Sequence, residues 1–284
     1  MRLAQLHLIR RWSPVIAVDT KGLRIFIDTS DVGVARQIVL HGAYEADTIL
    51  SAVALLEHID EHPFAGGDRT FVDVGANIGT AILQAVRHHG AAGGFAYEPH
   101  PENIALLRQN LLANEIADRV SVVHCAVTDS CRPVSLERSP NNSGDHRVRT
   151  DVPRVDWFGE ALRDVMTVPG LTLDSQVEAG IVDLDRVGLV SMDTQGHEAQ
   201  VLAGARRLCA SEVPIMLEYW PYGLRAAGGH EQLLDLVANS FKRFVDLAAP
   251  FQSGKLHSRP AAELGSLDAD LGEIGWADVL LLSS

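Results

Sequence analysis

The chain has 284 residues, 46% of them hydrophobic and 21% charged, the balance of a globular protein with length for a full core and not that of a disordered one. Its 37 acidic and 24 basic side chains leave a formal charge of −13, a field that repels phosphate backbones and sets nucleic acid aside as a main partner. The three cysteines, Cys125, Cys131 and Cys209, form no CxxC pair and fit a reducing cytosol.

At the N-terminus, His7, Arg10 and Arg11 interrupt Leu3, Leu6, Leu8 and Ile9 before a signal-peptide core can form. No run of the roughly 20 apolar residues needed to span a bilayer follows. The expectation is a cytoplasmic protein without a membrane partner. Val15–Val18 and Leu23–Asp28 read as strands of a hairpin turning through Thr20-Lys21-Gly22. Ile49, Val53 and Leu56 then recur at helical spacing within 45–59, and Pro63–Asp68 breaks the pattern. Residues 1–62 are thus expected to form an N-terminal accessory region of hairpin plus helix, and 63–284 the main domain.

From Thr70 onward strands and helices alternate, the signature of a doubly wound α/β sheet, mostly parallel, with helices on both faces. Thr70–Val74 and Phe95–Tyr97 are the first two strands, separated by a helix bearing Ile78, Ile82 and Val86 on one face. Pro101 opens a helix with Ile104, Leu107 and Leu111 inward, and Val120–His124 is the third strand. Val187–Met192 and Val213–Tyr219 follow, with Val201, Ala205 and Leu208 striping the helix between them. After a helix marked by Leu233, Val237 and Phe241 come β-like runs at Phe244–Leu247 and Ala277–Leu282. An insertion at about 131–183 separates the third and fourth strands. Its stretch from Glu137 to Arg154 is too polar for core and is expected to be a mobile loop over the site.

The chemistry concentrates at strand ends. Asp73-Val74-Gly75-Ala76-Asn77-Ile78-Gly79 is a glycine-rich turn directly after a buried strand, where Gly75 and Gly79 let backbone approach a ligand closely. Asp73 is placed to order that loop or to meet a ligand ammonium, and Asn77 to fix the turn. Glu98 ends the next strand, 25 positions after Asp73, where a carboxylate accepts two hydrogen bonds from a ribose diol. A nicotinamide-dependent oxidoreductase would use the same devices, but the third glycine of the dinucleotide fingerprint is missing.

A further series runs through Gly42-Ala43-Tyr44-Glu45, Tyr97-Glu98-Pro99-His100-Pro101, Asn103, Asn110 and Asn114. It continues with Asn142-Ser143-Gly144, Leu173-Asp174-Ser175, Met192-Asp193-Thr194-Gln195-Gly196-His197-Glu198 and Leu202-Ala203-Gly204-Ala205. In this order, together with the glycine loop, the motifs resemble the FkbM family of S-adenosylmethionine-dependent methyltransferases. The resemblance implies a class I methyltransferase sheet of seven strands, the last antiparallel, with S-adenosylmethionine as cofactor. It also implies methyl transfer to an oxygen, here a hydroxyl on a small-molecule acceptor such as a sugar or natural-product scaffold. By the matching motifs, Gly75, Asn77 and Gly79 would line the methionine and ribose, Glu98 would hold the ribose hydroxyls, and Ala126 and Val127 would lie near the adenine. An amine or carboxyl acceptor is the nearest alternative, and a catalytically silent binding module the most distant.

A hydroxyl acceptor needs a proton acceptor and alignment. The candidates are His197, whose reference pKa of about 6.5 suits a base, with Asp193 and Glu198 beside it. Glu218, Tyr219 and Trp220, ending the fifth strand, are expected to shape the acceptor pocket. Structural readings compete: Glu198 complements a helix dipole, His197 faces solvent, and Asn103, Asn110 and Asn114 bridge backbone. No recognised metal-ligand spacing is present, so no metal is assigned. A divalent ion held by Asp193 and Glu198 with His197 or Asp174 is the weaker alternative.

Overall fold

In a computed structural model describing residues 9–44, 46–152, 157–252 and 255–284, the expected hairpin opens the chain. Leu3 to Leu8, Glu45 and Arg154, invoked above, lie outside the described residues. Strands β1 (Val15–Thr20) and β2 (Leu23–Asp28) pair across Lys21-Gly22, where φ is +47° and +77°, the left-handed pair that a two-residue hairpin turn needs. Helices α1 (Val34–His41) and α2 (Ala46–His58) follow; the pattern reading did not anticipate α1, a short helix with Arg36, Gln37 and His41 among its eight residues.

The alternating part runs β3 (Thr70–Val74), α3 (Thr80–Arg87), β4 (Gly94–Glu98), α4 (Pro101–Ala113) and β5 (Val120–His124). After a short β6 (Ala126–Val127), the insertion contributes β7 (Val134–Arg138), β8 (Arg147–Val148), β9 (Asp164–Val168) and β10 (Gly170–Leu171). There follow α5 (Leu173–Glu178), β11 (Val187–Met192), α6 (Glu198–Ala203), α7 (Arg206–Cys209), β12 (Ile215–Tyr219), α8 (Pro221–Ala226) and α9 (His230–Ser240). The chain closes through β13 (Arg243–Asp246), a small β14 (Phe251–Gln252) and β15 (Lys255–Leu256) hairpin, β16 (Ser258–Pro260), α10 (Asp268–Leu271) and β17 (Ala277–Leu282).

The main sheet has the order β16-β13-β17-β12-β11-β3-β4-β5. Strands β12, β11, β3, β4 and β5 are parallel, and β17 is antiparallel to both its neighbours. Seven of these strands match the expected ones, and the eighth, β16, is a three-residue edge ending in Pro260, a residue that sheets tolerate at an edge. Side chains alternate between two cores, as a pleated strand requires. Phe71, Leu189, Met216 and Leu280 point into a core shared with α1 to α4, while Val72, Val190, Leu217 and Val279 point into one shared with α6, α7 and α9. Leu23, Ile25 and Ile27 of β2 enter the first core, so the hairpin packs on the same helices as the sheet.

Asn110 of α4 and Asn114 at its C-cap fasten that hairpin. Asn110 Oδ1 accepts from Phe26 N at 2.6 Å and its amide donates to Phe26 O and to Ile78 O (2.8 Å), while Asn114 takes Arg24 N and donates to Arg24 O. Two side chains one helical turn apart thus pair the free edge of β2 as a neighbouring strand would.

The insertion departs from expectation. Described residues of the polar stretch are not an open loop: β7 pairs with both β8 and β9, and Glu137, Asp145 and Arg147 are buried. Glu137 lies 3.7 Å from Arg149, and the other two charges are accommodated within one buried network. Arg147 contacts Asp145 at 2.6 Å and Glu160 at 2.8 Å, and Arg163 pairs with Asp145 as well. No single helix among the described residues is long and apolar enough to cross a membrane.

Replacing Asn110 leaves Phe26 and Ile78 backbone groups buried without partners. Asn110→Ala is therefore expected to lower unfolding stability by about 2–3 kcal/mol in urea titration, against a near-neutral effect for an exposed position such as Leu112→Ala.

Candidate functional site

Strands β3 and β11 are adjacent and parallel, but the chain leaves them in opposite directions, toward β4 and β5 on one side and β12 on the other. Their carboxyl ends flank the divergence point at which such sheets open a crevice. Gly75, at φ +88°, sits so close to the end of β11 that a Cβ on it would stand 1.8 Å from the Asp193 carbonyl oxygen. Gly75 N and Ala76 N both donate to Tyr97 O at 3.0 Å, and Asp193 N donates to Val74 O at 3.0 Å. Gly79, also at φ +88°, meets Leu107 with the same economy of space: a Cβ there would lie 2.3 Å from its Cδ1. The two glycines therefore serve packing between strands and helices, and they leave the loop's own face to the crevice.

A crevice does open there, part of it exposed to solvent. Gly75, Asn77 and Glu98 line it from the β3 and β4 side, Ala126 and Val127 from the far end, and Asp193, Gln195 and His197 from the end of β11. Ser143 and His146 reach it from the insertion.

Glu98 is held by three donors: Asn77 N to Oε2 at 2.8 Å, His100 N to Oε1 at 2.8 Å, and Asn103 Nδ2 to Oε1 at 3.3 Å. Burial nonetheless pushes its carboxyl up to about 7, with those hydrogen bonds pulling the other way. Of the roughly four lone-pair positions of a carboxylate, about one is left for a ligand. Asp73 lies behind the loop, fully buried; burial pushes it up to about 8, against a hydrogen bond from the Ile82 backbone.

The segment after β11 is a tight loop with Gln195 at φ +56° and Gly196 at φ +100°. Glu198 secures it, its Oε1 accepting from Thr194 N (2.8 Å), Thr194 Oγ1 (2.9 Å) and Gly196 N (3.3 Å), and burial raises Glu198 to about 7. His197 is buried, not solvent-facing. Its Nε2 lies 3.0 Å from Thr128 Oγ1, and burial lowers the imidazole to about 4, so it is neutral at physiological pH. Asp193 and Glu218 are both raised by burial, Glu218 further by Asp193 and Glu198. The Gln195 amide bridges them, Nε2 donating to Asp193 Oδ1 at 2.6 Å and to Glu218 Oε2 at 2.9 Å.

A family model described as the methyltransferase FkbM domain matches residues 73–236, more than half of the chain. The chain belongs to the FkbM methyltransferase family. The hexuronic acid methyltransferase AglP of Haloferax volcanii is 30% identical over 152 residues, covering 53% of each protein. The 31-O-demethyl-FK506 methyltransferase FkbM of Streptomyces tacrolimicus is 32% identical over 157 residues, 49% of this chain and 59% of that one. The chain thus spans little more than half the length of these curated relatives. Among solved structures, an O-methyltransferase of Bacillus cereus in complex with SAH overlays 99% of this chain and 90% of its own at 10% identity, with a TM-score of 0.45.

Within this FkbM fold the residues singled out from sequence divide into groups. Gly75, Asn77, Glu98, Ala126, Val127, Asp193 and His197 meet in one crevice. Asp73, Gly79 and Glu198 stand behind it and shape its loops, while Glu218 reaches it through Gln195. Tyr219 and Trp220 turn elsewhere: the Tyr219 hydroxyl lies 3.1 Å from His230 and donates to Asp268, and the Trp220 indole donates to Ile274 O and lies against the Arg147 guanidinium. Sequence reasoning missed Gln195 as a bridge, and it missed Asp31 and Ser143. Asp31 accepts from Ser143 N at 3.0 Å and from its hydroxyl, and Asn103 donates to Ser143 O at 3.1 Å, tying the insertion to the N-terminal region beside Asn77. The Asn142-Ser143-Gly144 motif was the available signal, without a partner to read it against. Asp174 accepts from Arg206 N and Arg207 N, away from Asp193.

Asp73 yields a pH-dependent test. Its folded carboxyl titrates near 8 and its unfolded one near 4, so the stability it carries is full at low pH and is lost as pH rises through that window. Relative to the parent, Asp73→Asn is expected to gain stability by about 1 kcal/mol per pH unit between roughly pH 5 and 8, read from urea midpoints across that range.

Proposed function

We propose that this chain transfers a methyl group from S-adenosylmethionine to a hydroxyl of a small polar molecule. The observation that carries the reading is the convergence, in one crevice of an FkbM fold, of the Gly75–Asn77 loop and Glu98 with Asp193. Bound there, the cofactor would supply an electrophilic methyl on a sulfonium, which needs alignment more than activation. The crevice suits it: the loop offers backbone at close range, Ala126 and Val127 give an apolar end, and Glu98 keeps a free acceptor position for a ribose hydroxyl.

Asp193 is favoured as the group that receives the acceptor's proton. It faces the crevice, and burial draws its carboxyl upward toward neutrality, which suits a proton acceptor. His197 is a weaker candidate, since its lowered basicity and its contact with Thr128 favour a wall or hydrogen-bonding role. Glu198 acts through the loop that it holds. An oxygen acceptor is consistent with the printed name of the 31-O-demethyl-FK506 methyltransferase, whereas a hexuronic acid offers both hydroxyls and a carboxyl.

Calorimetric titration with S-adenosylmethionine is expected to give saturable binding that Glu98→Gln weakens about tenfold or more. Because Glu98 accepts best when ionised, affinity is also expected to fall as pH drops below about 7. Absence of binding by the folded parent would overturn the reading. For turnover, mass spectrometry of candidate sugars and polyols incubated with cofactor should show the gain of one methylene unit, and Asp193→Asn should abolish it while leaving cofactor binding within about threefold.

A further inference from the structure

Three carboxylates from separate elements converge beside the crevice. Asp193 follows β11, Glu198 opens α6 and Glu218 lies in β12, and one oxygen from each lies within 4.8 Å of the others. That span is about twice the 2.3–2.6 Å calcium–oxygen distance, and small side-chain rotations close it to the shorter magnesium or manganese range.

Acidic groups gather on many protein surfaces, so spacing alone decides nothing. Here Glu198 is fully buried and its Oε2 has no hydrogen-bond partner, although Oε1 accepts three. Nor does any lysine or arginine pair with the three carboxylates among the described residues. Asp193 and Glu218 instead share the neutral Gln195 amide, which donates to both. Turning that amide about its terminal torsion exchanges donor for oxygen and adds a fourth hard ligand.

We propose that Asp193, Glu198 and Glu218 bind one divalent cation of the magnesium, manganese or calcium class, with Gln195 turning its carbonyl oxygen to the ion. A carboxylate that ligates through one oxygen keeps the other for the acceptor. Because Asp193 and Gln195 line the crevice, the ion faces the space where the acceptor would lie and can take two neighbouring oxygens of a polyol. Only this last role rests on the methyl-transfer reading; binding of the ion does not.

The test is a manganese titration of the chelator-treated full chain, without cofactor or acceptor, followed by electron paramagnetic resonance. One Mn²⁺ per chain is expected, displaced competitively by Mg²⁺ or Ca²⁺. Glu218→Gln should weaken binding by at least about tenfold, whereas the surface variant Glu178→Gln should bind as the parent does. Circular dichroism melts in chelator establish that each variant is folded. If Glu218→Gln does not fold, Gln195→Glu decides, since a fourth carboxylate should tighten binding by about tenfold. No manganese bound by the folded parent up to about 1 mM, or equal affinity in folded Glu218→Gln, overturns the site. So does unchanged or weaker binding in Gln195→Glu. Cofactor binding measured separately keeps that outcome distinct from failure of the methyl-transfer reading.

Discussion

Everything at the site depends on two strand ends being closer than side chains permit. At Gly75 the backbone of the β3 turn lies against the Asp193 carbonyl, in space that any Cβ would occupy. That contact sets the crevice floor and makes the loop face outward. Asp193 in turn stands near enough to Asp73 to add to the effect of burial in raising the Asp73 carboxyl. The acidic character of the site is thus partly a result of backbone geometry.

The carboxylates at this edge are buried together with few cations, which is expensive unless hydrogen bonds or protons offset it. The chain uses both. Glu98 and Glu198 each collect donors from the loops beside them, so the groups that hold the loops are themselves held by the loops. Substitution at either is expected to disturb geometry and charge at once, and experiments on them need a structural control.

Much of the architecture was legible because buried parallel strands carry nearly continuous apolar runs, as in Val187–Met192, all of whose residues are buried. The glycine loop and Glu98 were legible because their positions follow from strand ends. What escaped was polar burial. Asp145, Arg147, Glu160 and Arg163 look like surface in sequence, and only their mutual pairing makes them interior. Gln195 has no local feature that marks it as a bridge, since its second partner is 23 residues away. His197 could be named but not its basicity, which depends on burial that no local pattern reports. Tyr219 and Trp220 were adjacent to Glu218 in sequence, yet neither lines the crevice.

The insertion's small sheet, β8-β7-β9, is separate from the main one and packs Leu136 and Val168 against Ala126 of β6 in a small core apart from the two large ones. It reaches the crevice through Ser143 and His146, yet its strands add nothing to the main ladder. Its ties to the rest of the chain include side-chain contacts, Ser143 with Asp31 and Asn103, and Arg147 against Trp220. The crevice thus has one wall whose shape can change without breaking a rung of the main ladder, much as a lock is rekeyed by changing its cylinder.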